Sequence, residues 1–420
     1  MAEEKKDISV LLDEKRVFKP NEDFVKQTNV KQWMDAHGIS ELDELLEKSQ
    51  DIEWFWGEMA KELLEFYEPY DKVLEWDAPW AKWFVGGSYN IVHDSLDRHV
   101  KTAAKDKVAY IFEGEPGDIK KWTYGELHAE VNRLANAMKK LGVKKGDRVG
   151  IYMPMLVELP IAMLACAKIG AIHSVVFSGF SPMAFADRLH DCEAKMAITC
   201  DHFYRRGTKV ALKAQTDEAL DNAPTVEHCI VYRRTGDEVP WKEGRDHWWH
   251  EICEAESDQC ETEKLDANDL LYILYTSGTT GKPKGAMITH GNLIYNIHNT
   301  IIAHSFRHED VHLLVVPLFH CTGLNSIITT SAYLGGTVVI APSPDVVQLV
   351  AMIERHRVST FLGVPTLLYF VCAMKDLAKH DTTSLRVIGY SGSPMPPATI
   401  RKLRDNFSKA LLHNLSLIHI

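Results

Sequence analysis

One segment limits the possible folds of this chain more than any other: residues 275–285, which read YTSGTTGKPKG. The apolar run Leu271-Tyr272-Ile273-Leu274 precedes it, so we expect a buried strand to lead directly into it. Its three glycines permit close backbone approach, and its hydroxyl and backbone N–H groups could surround a polyphosphate. Lys282 and Lys284 add the positive charge that such a ligand requires. The segment therefore predicts a phosphate-binding loop.

Two other interpretations of this segment are weaker. A Walker A motif requires Ser or Thr directly after its lysine, whereas Pro283 follows Lys282 here. An ordinary hairpin turn would explain glycines and threonines. It would not explain an eleven-residue run this dense in hydroxyl groups, glycine and lysine after a buried strand.

From about residue 145, short β-branched runs alternate with segments of helical periodicity. The predicted strands lie at 148–153, 172–177, 195–199, 228–232, 270–275, 311–316, 337–341, 359–363 and 385–390. Helices are predicted at 157–169, 346–355 and 397–407, with a further strand at 409–414. Strands separated by helices of this length indicate βαβ units and parallel sheets, so the predicted fold class is α/β. The polar stretch 233–268 is predicted to be a long, exposed connection.

Charge and length exclude several classes of protein. Lys plus Arg is 47 and Asp plus Glu is 58, which gives a net charge of −11 and disfavours nonspecific nucleic-acid binding. A chain of 420 residues, 45% of them hydrophobic, can bury a large core, which excludes a disordered chain or a disulfide-stapled mini-protein.

The cysteines and the longest apolar stretch bear on location. The eight cysteines include no CxxC pair and no zinc-like spacing, which favours reduced, mostly buried thiols in a cytoplasmic protein. Glu158, Lys168 and Gly170 interrupt the apolar stretch 155–177, so it predicts a helix followed by a strand rather than a membrane span. No apolar core of a signal peptide follows the charged residues 1–7.

YTSGTTGKPKG resembles the signature loop of the AMP-forming adenylating enzymes, which include acyl-CoA synthetases, luciferases and peptide-synthetase adenylation domains. Residues 316–320 (VPLFH), 363–366 (GVPT) and 391–395 (SGSPM) are similar to further motifs of this family, in the same order. Residues 54–56, 83–84, 90–99, 176–181 and 204–207 are similar to segments of acetyl-CoA synthetases. The resemblance implies an α/β fold: the large N-terminal domain of the adenylate-forming fold, with mostly parallel sheets and incomplete at the C-terminus.

The resemblance also suggests how the chain is divided. Residues 1–110 are expected to form an acetyl-CoA synthetase-like extension and residues 111–414 an incomplete AMP-binding domain. The tail 415–420 (LSLIHI) does not resemble the family. The family's YGxTE motif, whose Glu holds Mg²⁺, its ribose-binding Asp and its mobile C-terminal domain are not found, so no metal ligand is assigned in this chain. We expect a truncated reading frame or a foreign sequence joined near residue 414, with a natural short variant as the alternative.

By resemblance, the implied activity has two steps at one site. A carboxylate attacks the α-phosphorus of ATP to give acyl-adenylate and pyrophosphate, and CoA then takes the acyl group and releases AMP. ATP, Mg²⁺ and CoA are the expected small molecules, and the chain as written is expected to turn over little. The alternatives are an adenylating enzyme with an acceptor other than CoA and a non-catalytic nucleotide-binding protein.

Each site residue is assigned through the matching motif. Lys284 and His320 are the candidate catalytic residues, and His320 also borders the acyl pocket with Gly363 and Thr366. The residues expected to bind ATP or AMP are Thr276, Ser277, Gly278, Thr279, Thr280, Gly281, Lys282, Gly392, Ser393 and Pro394. Arg205 matches an arginine that contacts CoA phosphate, although the second such arginine is replaced by Thr208. Alternative interpretations are a core histidine for His320 and a solvated turn for Arg205.

The acid itself is left open by the sequence. Its N-terminal part is similar to acetyl-CoA synthetases, whereas residues 312–336 look more like medium- and long-chain acyl-CoA synthetases. Acetate, propionate and longer acids all remain candidates.

Overall fold

The computed structural model describes residues 22–26, 28–276 and 282–414. The chain forms two compact units, residues 1–51 and residues 52–420. In the first unit, the described residues form helices α1 (Glu22–Lys26), α2 (Asn29–Ala36) and α3 (Leu42–Lys48). Thr28 begins α2, because its hydroxyl oxygen accepts a hydrogen bond of 3.2 Å from the N–H of Lys31.

The second unit contains all the described strands. They are β1 (Lys72–Asp77), β2 (Trp80–Val85), β3 (Val108–Glu113), β4 (Ile119–Thr123), β5 (Arg148–Met153), β6 (Ile172–Phe177), β7 (Met196–Cys200), β8 (His202–Arg205), β9 (Thr208–Ala211), β10 (His228–Tyr232), β11 (Asp246–Trp248), β12 (Leu270–Thr276), β13 (Lys284–Thr289), β14 (Val311–Leu314), β15 (Thr337–Ile340), β16 (Thr360–Gly363), β17 (Val387–Tyr390) and β18 (Leu411–Asn414).

Helices connect most of these strands. They are α4 (Ile52–Leu63), α5 (Tyr124–Lys140), α6 (Glu158–Lys168), α7 (Pro182–Asp191), α8 (Leu212–Leu220), α9 (Trp249–Glu254), α10 (His290–His304), α11 (Thr330–Leu334), α12 (Val346–His356), α13 (Pro365–Ala373) and α14 (Pro397–Asn406). Two π-helical segments, His93–Asp97 and Thr322–Thr329, and three short 3₁₀ segments, His99–Lys101, Ala103–Asp106 and Leu377–Lys379, complete the described elements.

Two seven-stranded sheets organise the second unit. The first sheet has the order β11-β10-β7-β5-β6-β12-β13, and the second has the order β18-β17-β16-β14-β15-β3-β4. Neighbouring strands are parallel except at one edge of each sheet, where β13 and β4 run antiparallel to their partners. The predicted α/β class with mostly parallel sheets is therefore confirmed.

Local sequence explains the elements that build these layers. The hydroxyl oxygen of Thr123 accepts from the N–H of Glu126, whose carboxylate accepts from the N–H of Thr123, and this capping box starts α5. The apolar strands β6 and β7 are buried along almost their whole length, as expected for the centre of a parallel sheet covered on both faces. The core of the second sheet includes Leu313, Val339, Ile353, Phe361 and Ile388.

Most predicted elements lie where the sequence placed them, with two differences. The stretch 233–268 is not simply an exposed connection, because it contains β11 and α9, with Trp249 buried. Residues 277–283 connect β12 to β13, and these two strands are antiparallel neighbours. The connection is therefore that of a β-hairpin, whereas most of the surrounding strands are joined through helices as βαβ units. Residues 155–177 form α6 and β6 as predicted, and among the described residues no helix is long and apolar enough to cross a membrane.

Candidate active site

Three of the predicted site segments follow neighbouring strands of the second sheet. His320, Gly363 and Gly392 lie after or at the carboxyl ends of β14, β16 and β17, which are adjacent and parallel. In open α/β sheets, ligands bind in the crevice outside this edge of the strands. The fold therefore brings together the segments predicted to contact the acid and the adenine.

The turn after β17 lies close to the turn after β16. Gly392 adopts φ +88°, a conformation that favours glycine, and a Cβ added there would lie 3.9 Å from Val364. Gly363 is buried in β16, whereas Thr366, Ser393 and Pro394 are exposed. Thr366, Ser393 and Pro394 thus present an accessible surface beside the ends of β16 and β17.

The predicted phosphate loop starts and ends on the first sheet. Thr276 ends β12 and Lys284 begins β13, and the two residues are register partners with exposed side chains. Lys282 is exposed as well. Ser277, Gly278, Thr279, Thr280 and Gly281 lie outside the described residues, as does the tail 415–420.

A hydrogen bond joins the strand before this loop to the helix after His320. The hydroxyl of Tyr272 on β12 donates to Oδ1 of Asn325, 2.8 Å away, within the segment Thr322–Thr329. Burial raises the pKa of Tyr272, so the hydroxyl keeps its proton and remains a donor. The two sheets are thereby tied together beside the candidate site.

An aromatic cluster, formed by Phe177, Phe180 and Phe319, extends this junction. The ring centroids of Phe177 and Phe319 are 4.6 Å apart, and those of Phe177 and Phe180 are 5.4 Å apart. The guanidinium of Arg188 lies over the rings of both Phe180, at 5.0 Å, and Tyr275, at 5.4 Å. Arg188 and the aromatic cluster therefore connect the start of the phosphate loop with the residue before His320.

Arg205 lies near the same aromatic cluster. It is exposed at the end of β8, and its guanidinium is 5.5 Å from the centroid of Phe177. The following turn has positive φ at Arg206 and Gly207, and the N–H groups of both residues donate to the carboxylate of Glu115 at 3.2 and 3.1 Å. This carboxylate fixes the turn that carries Arg205.

The side chain of His320 is exposed, so its interpretation as a core histidine is wrong. Its Nδ1 accepts a hydrogen bond of 3.2 Å from the N–H of Thr322 and lies 3.8 Å from Sγ of Cys321. The hydrogen bond with Cys321 raises the pKa of His320, and burial opposes this only in part.

Sequence motifs did not identify Phe177, Phe180, Arg188, Glu115 or Cys321. Phe177 and Phe180 do lie in the segment 176–181, whose similarity to acetyl-CoA synthetases was the one signal pointing to them. The others come from separate parts of the chain and are recognised only through their contacts.

Two family models match this chain. One, described as AMP-binding enzyme, matches residues 96–415, and the other, described as acetyl-coenzyme A synthetase N-terminus, matches residues 43–94. The two sheets are those of the adenylate-forming fold. More particularly, the chain belongs to the family of AMP-binding enzymes, with an acetyl-coenzyme A synthetase-type N-terminus. The resemblance found in the sequence is confirmed.

Individual relatives support the same assignment. The chain is 44% identical over 407 residues to an acetyl-coenzyme A synthetase of Methanothrix thermoacetophila, covering 95% of this chain and 62% of the relative. It is 41% identical over 397 residues to an acetyl-coenzyme A synthetase of Helicobacter pylori strain HPAG1, covering 91% and 59%. The chain thus spans about three fifths of the length of these curated relatives.

A solved structure shares the fold. The acetoacetyl-CoA synthetase from Streptomyces lividans superposes with a TM-score of 0.85 at 24% sequence identity, over 94% of this chain and 63% of that one. The division of the chain into an extension, residues 1–110, and an AMP-binding domain, residues 111–414, stays a prediction.

Proposed function

We propose that this chain is the nucleotide- and acid-binding part of an enzyme that activates a carboxylic acid with ATP. The acid would become an acyl-adenylate with release of pyrophosphate, and CoA would then take the acyl group and release AMP. The observation that carries this proposal is the hydrogen bond of 2.8 Å between Tyr272 and Asn325. It holds the strand that leads to the phosphate loop against the helix that follows His320.

Charge control is the main physical demand of the first step, because a carboxylate must approach a polyphosphate that is also negative. Lys284 and Lys282 would balance the phosphate charge, and the backbone N–H groups of 276–281 would bind the phosphate oxygens. His320, exposed beside the strand ends, would orient the carboxylate. Gly363 and Thr366 would line the acyl site, while Gly392, Ser393 and Pro394 would shape the adenine pocket.

Mg²⁺ would accompany ATP and neutralise its phosphates, as is general for enzymes of this chemistry. Among the described residues, the side chains with the mutual spacing of metal ligands are Glu65, His93 and Asp94. None of the proposed site residues belongs to this group. We propose that Mg²⁺ is held by the phosphates of ATP, and we name no ligand for it among the site residues.

CoA is the proposed acceptor because of the position of Arg205, its candidate phosphate contact. Arg205 lies over Phe177, and Phe177 packs against Phe319, the residue before His320. A carrier-protein thiol is the competing acceptor. Comparison of the two thiols with one preformed acyl-adenylate distinguishes them.

Acetate is the first candidate acid, because relatives of this chain include proteins named acetyl-coenzyme A synthetase. The similarity of residues 312–336 to medium- and long-chain acyl-CoA synthetases favours testing longer acids as well.

Binding of stable alkyl-adenylates tests the proposal on the chain as it exists. Calorimetry should compare AMP with alkyl-adenylates whose acyl mimics contain two to eight carbons. We expect at least one of them to bind about tenfold more tightly than AMP, because it engages the acyl and adenine subsites together. Equal affinity for AMP and for every alkyl-adenylate would contradict the proposal. Acid-dependent release of AMP, measured in parallel, separates catalysis from nucleotide binding alone.

A further inference from the structure

Cys321 and His320 form a close thiol–imidazole pair beside the candidate acyl site. Sγ of Cys321 lies 3.8 Å from Nδ1 of His320, within hydrogen-bond reach for sulfur. A proton can pass from the thiol to Nδ1 of the imidazole, which leaves a thiolate next to an imidazolium. Nδ1 then no longer accepts from the N–H of Thr322, and that N–H is free to donate to the thiolate instead. Such pairs make cysteine nucleophilic at neutral pH.

The start of a helix adds to the stabilisation of a thiolate at this position. Cys321 is the residue before the π-helical segment Thr322–Thr329, which continues directly into α11. The first N–H groups of a helix have no partner within it and favour negative charge. The imidazole of His320 and the backbone and hydroxyl groups of Thr322 lower the pKa of Cys321, and its partial burial opposes this only in part.

Accessibility distinguishes Cys321 from the other seven cysteines. Five of them, Cys166, Cys192, Cys200, Cys229 and Cys253, are buried. Cys260 and Cys372 are partly exposed, and Cys321 is the exposed one. Burial raises the pKa of Cys372, whereas that of Cys321 is lowered. Exposure and thiolate character therefore coincide at a single cysteine.

We propose that Cys321 is a redox modification site of this chain, oxidised by hydroperoxides with the help of His320. The thiolate sulfur attacks one peroxide oxygen, so an S–O bond forms and the O–O bond breaks. The leaving oxygen takes the proton held by the imidazolium of His320 and departs as water or an alcohol. Sulfur is oxidised to the sulfenic acid and the peroxide is reduced, and a thiol reductant restores the cysteine.

The consequence for acid activation rests on the proposed function. Oxidation of Cys321 would remove the proton from the adjacent imidazole and add a polar oxygen beside the reacting carboxylate. We expect oxidation to weaken alkyl-adenylate binding reversibly. This effect would link acid activation to the peroxide level around the enzyme.

Alkylation kinetics test the pair without ATP or acid, so their failure is separable from failure of the proposed function. The purified, reduced chain should be treated with iodoacetamide from pH 6 to 9, with each cysteine-containing peptide quantified by mass spectrometry. At pH 7 we expect Cys321 to react about fivefold or more faster than Cys260 and Cys372. Hydrogen peroxide followed by dimedone should then label Cys321, and Cys321→Ser should remove that label.

A matched pair of histidine variants tests the role of the imidazole. His320→Gln should slow the alkylation of Cys321 at pH 7 and move its pH profile upward. His308→Gln, at an exposed histidine that pairs with Glu309, should change neither. The proposal is overturned if Cys321 reacts no faster than Cys260, or if His320→Gln leaves its pH profile unchanged. Circular dichroism of each variant confirms that the fold is retained.

Discussion

Gly323 shows how one residue controls the position of the candidate site. A Cβ added there would lie 2.5 Å from the carbonyl oxygens of both Val316 and Pro317, which belong to the backbone that leads to His320. Backbone atoms cannot move aside as a flexible side chain can. The helix after His320 can therefore approach this segment closely only because residue 323 is glycine.

We predict that Gly323→Ala destabilises the fold by about 1–3 kcal/mol, since the clash must be relieved by a backbone shift. Because that shift moves His320, alkyl-adenylate affinity should fall as well. Urea unfolding and calorimetry measure the two effects. Gly57→Ala is the matched control, because a Cβ there meets its nearest neighbour at an ordinary 3.4 Å. Equal stability of both variants would show that the segment 316–320 adapts without cost.

Lys284 is predicted to interact with the phosphates rather than to support the fold. It is exposed at the start of β13, so Lys284→Ala should leave the free energy of unfolding nearly unchanged. Loss of a charge-assisted hydrogen bond, worth about 1.5–3 kcal/mol, should weaken ATP binding by about tenfold or more. Titration with ATP checks this, with Lys379→Ala as a control at another exposed lysine. ATP affinity equal to that of the unchanged chain would remove Lys284 from the site.

At the scale of elements, periodicity predicted the strands well because they are buried on both faces. Runs such as 172–177 and 228–232 are mostly apolar, and the structure places β6 and β10 at those residues. Connectivity was harder to predict. The antiparallel pairing of β12 with β13 depends on which edge of the sheet is free, and a local pattern does not carry that information. The short strand β11 was missed because polar residues surround it.

One buried ion pair connects elements that lie far apart in the chain. The carboxylate of Asp97 accepts hydrogen bonds from Nζ of Lys168 on α6, at 2.8 Å, and from the hydroxyl of Thr262. His128 on α5 lies 3.3 Å away. Burial disfavours the charged form of Asp97, but the hydrogen bond with His128 and the charge of Lys168 outweigh it, and its pKa falls to about 2.

Asp97→Asn should therefore destabilise the chain at pH 7. The ammonium of Lys168, only 1% exposed, would lose its counter-charge, at a cost of about 3–5 kcal/mol. Chemical unfolding at pH 7 measures this, and Asp405→Asn on the exposed face of α14 is the control. A loss below about 1 kcal/mol would mean that Lys168 finds another partner or water.

At the scale of the whole molecule, the motifs predicted which segments form the site but not the contacts between them. His320, Gly363 and Gly392 were assigned from separate motifs, and the strand order explains why their segments lie at neighbouring strand ends. The position of Arg188 between Phe180 and Tyr275 depends on the packing of α7 against the first sheet. No local pattern encodes a contact between residues almost ninety positions apart in the chain.

Buried histidines are distributed through the whole second unit and make its stability depend on pH. Burial lowers the pKa of His173 from 6.5 to about 3. It lowers the pKa of four others to about 4: His290, His298, His304 and His312. Between pH 6.5 and 4 the unfolded chain therefore binds protons that the folded chain does not. Stability rises with pH wherever the unfolded state binds more protons, so it must fall as the solution is acidified below 6.5.

Each such histidine contributes up to about 1.4 kcal/mol per pH unit in this window, so the chain should lose stability steeply between pH 6.5 and 5. His173→Phe keeps a ring that can stack on Tyr272 and removes one of these titrations. The slope of unfolding free energy against pH, from urea titrations, should then decrease by about one proton equivalent. An unchanged slope in His173→Phe would contradict this, because it would mean that His173 binds protons equally in the folded and the unfolded chain.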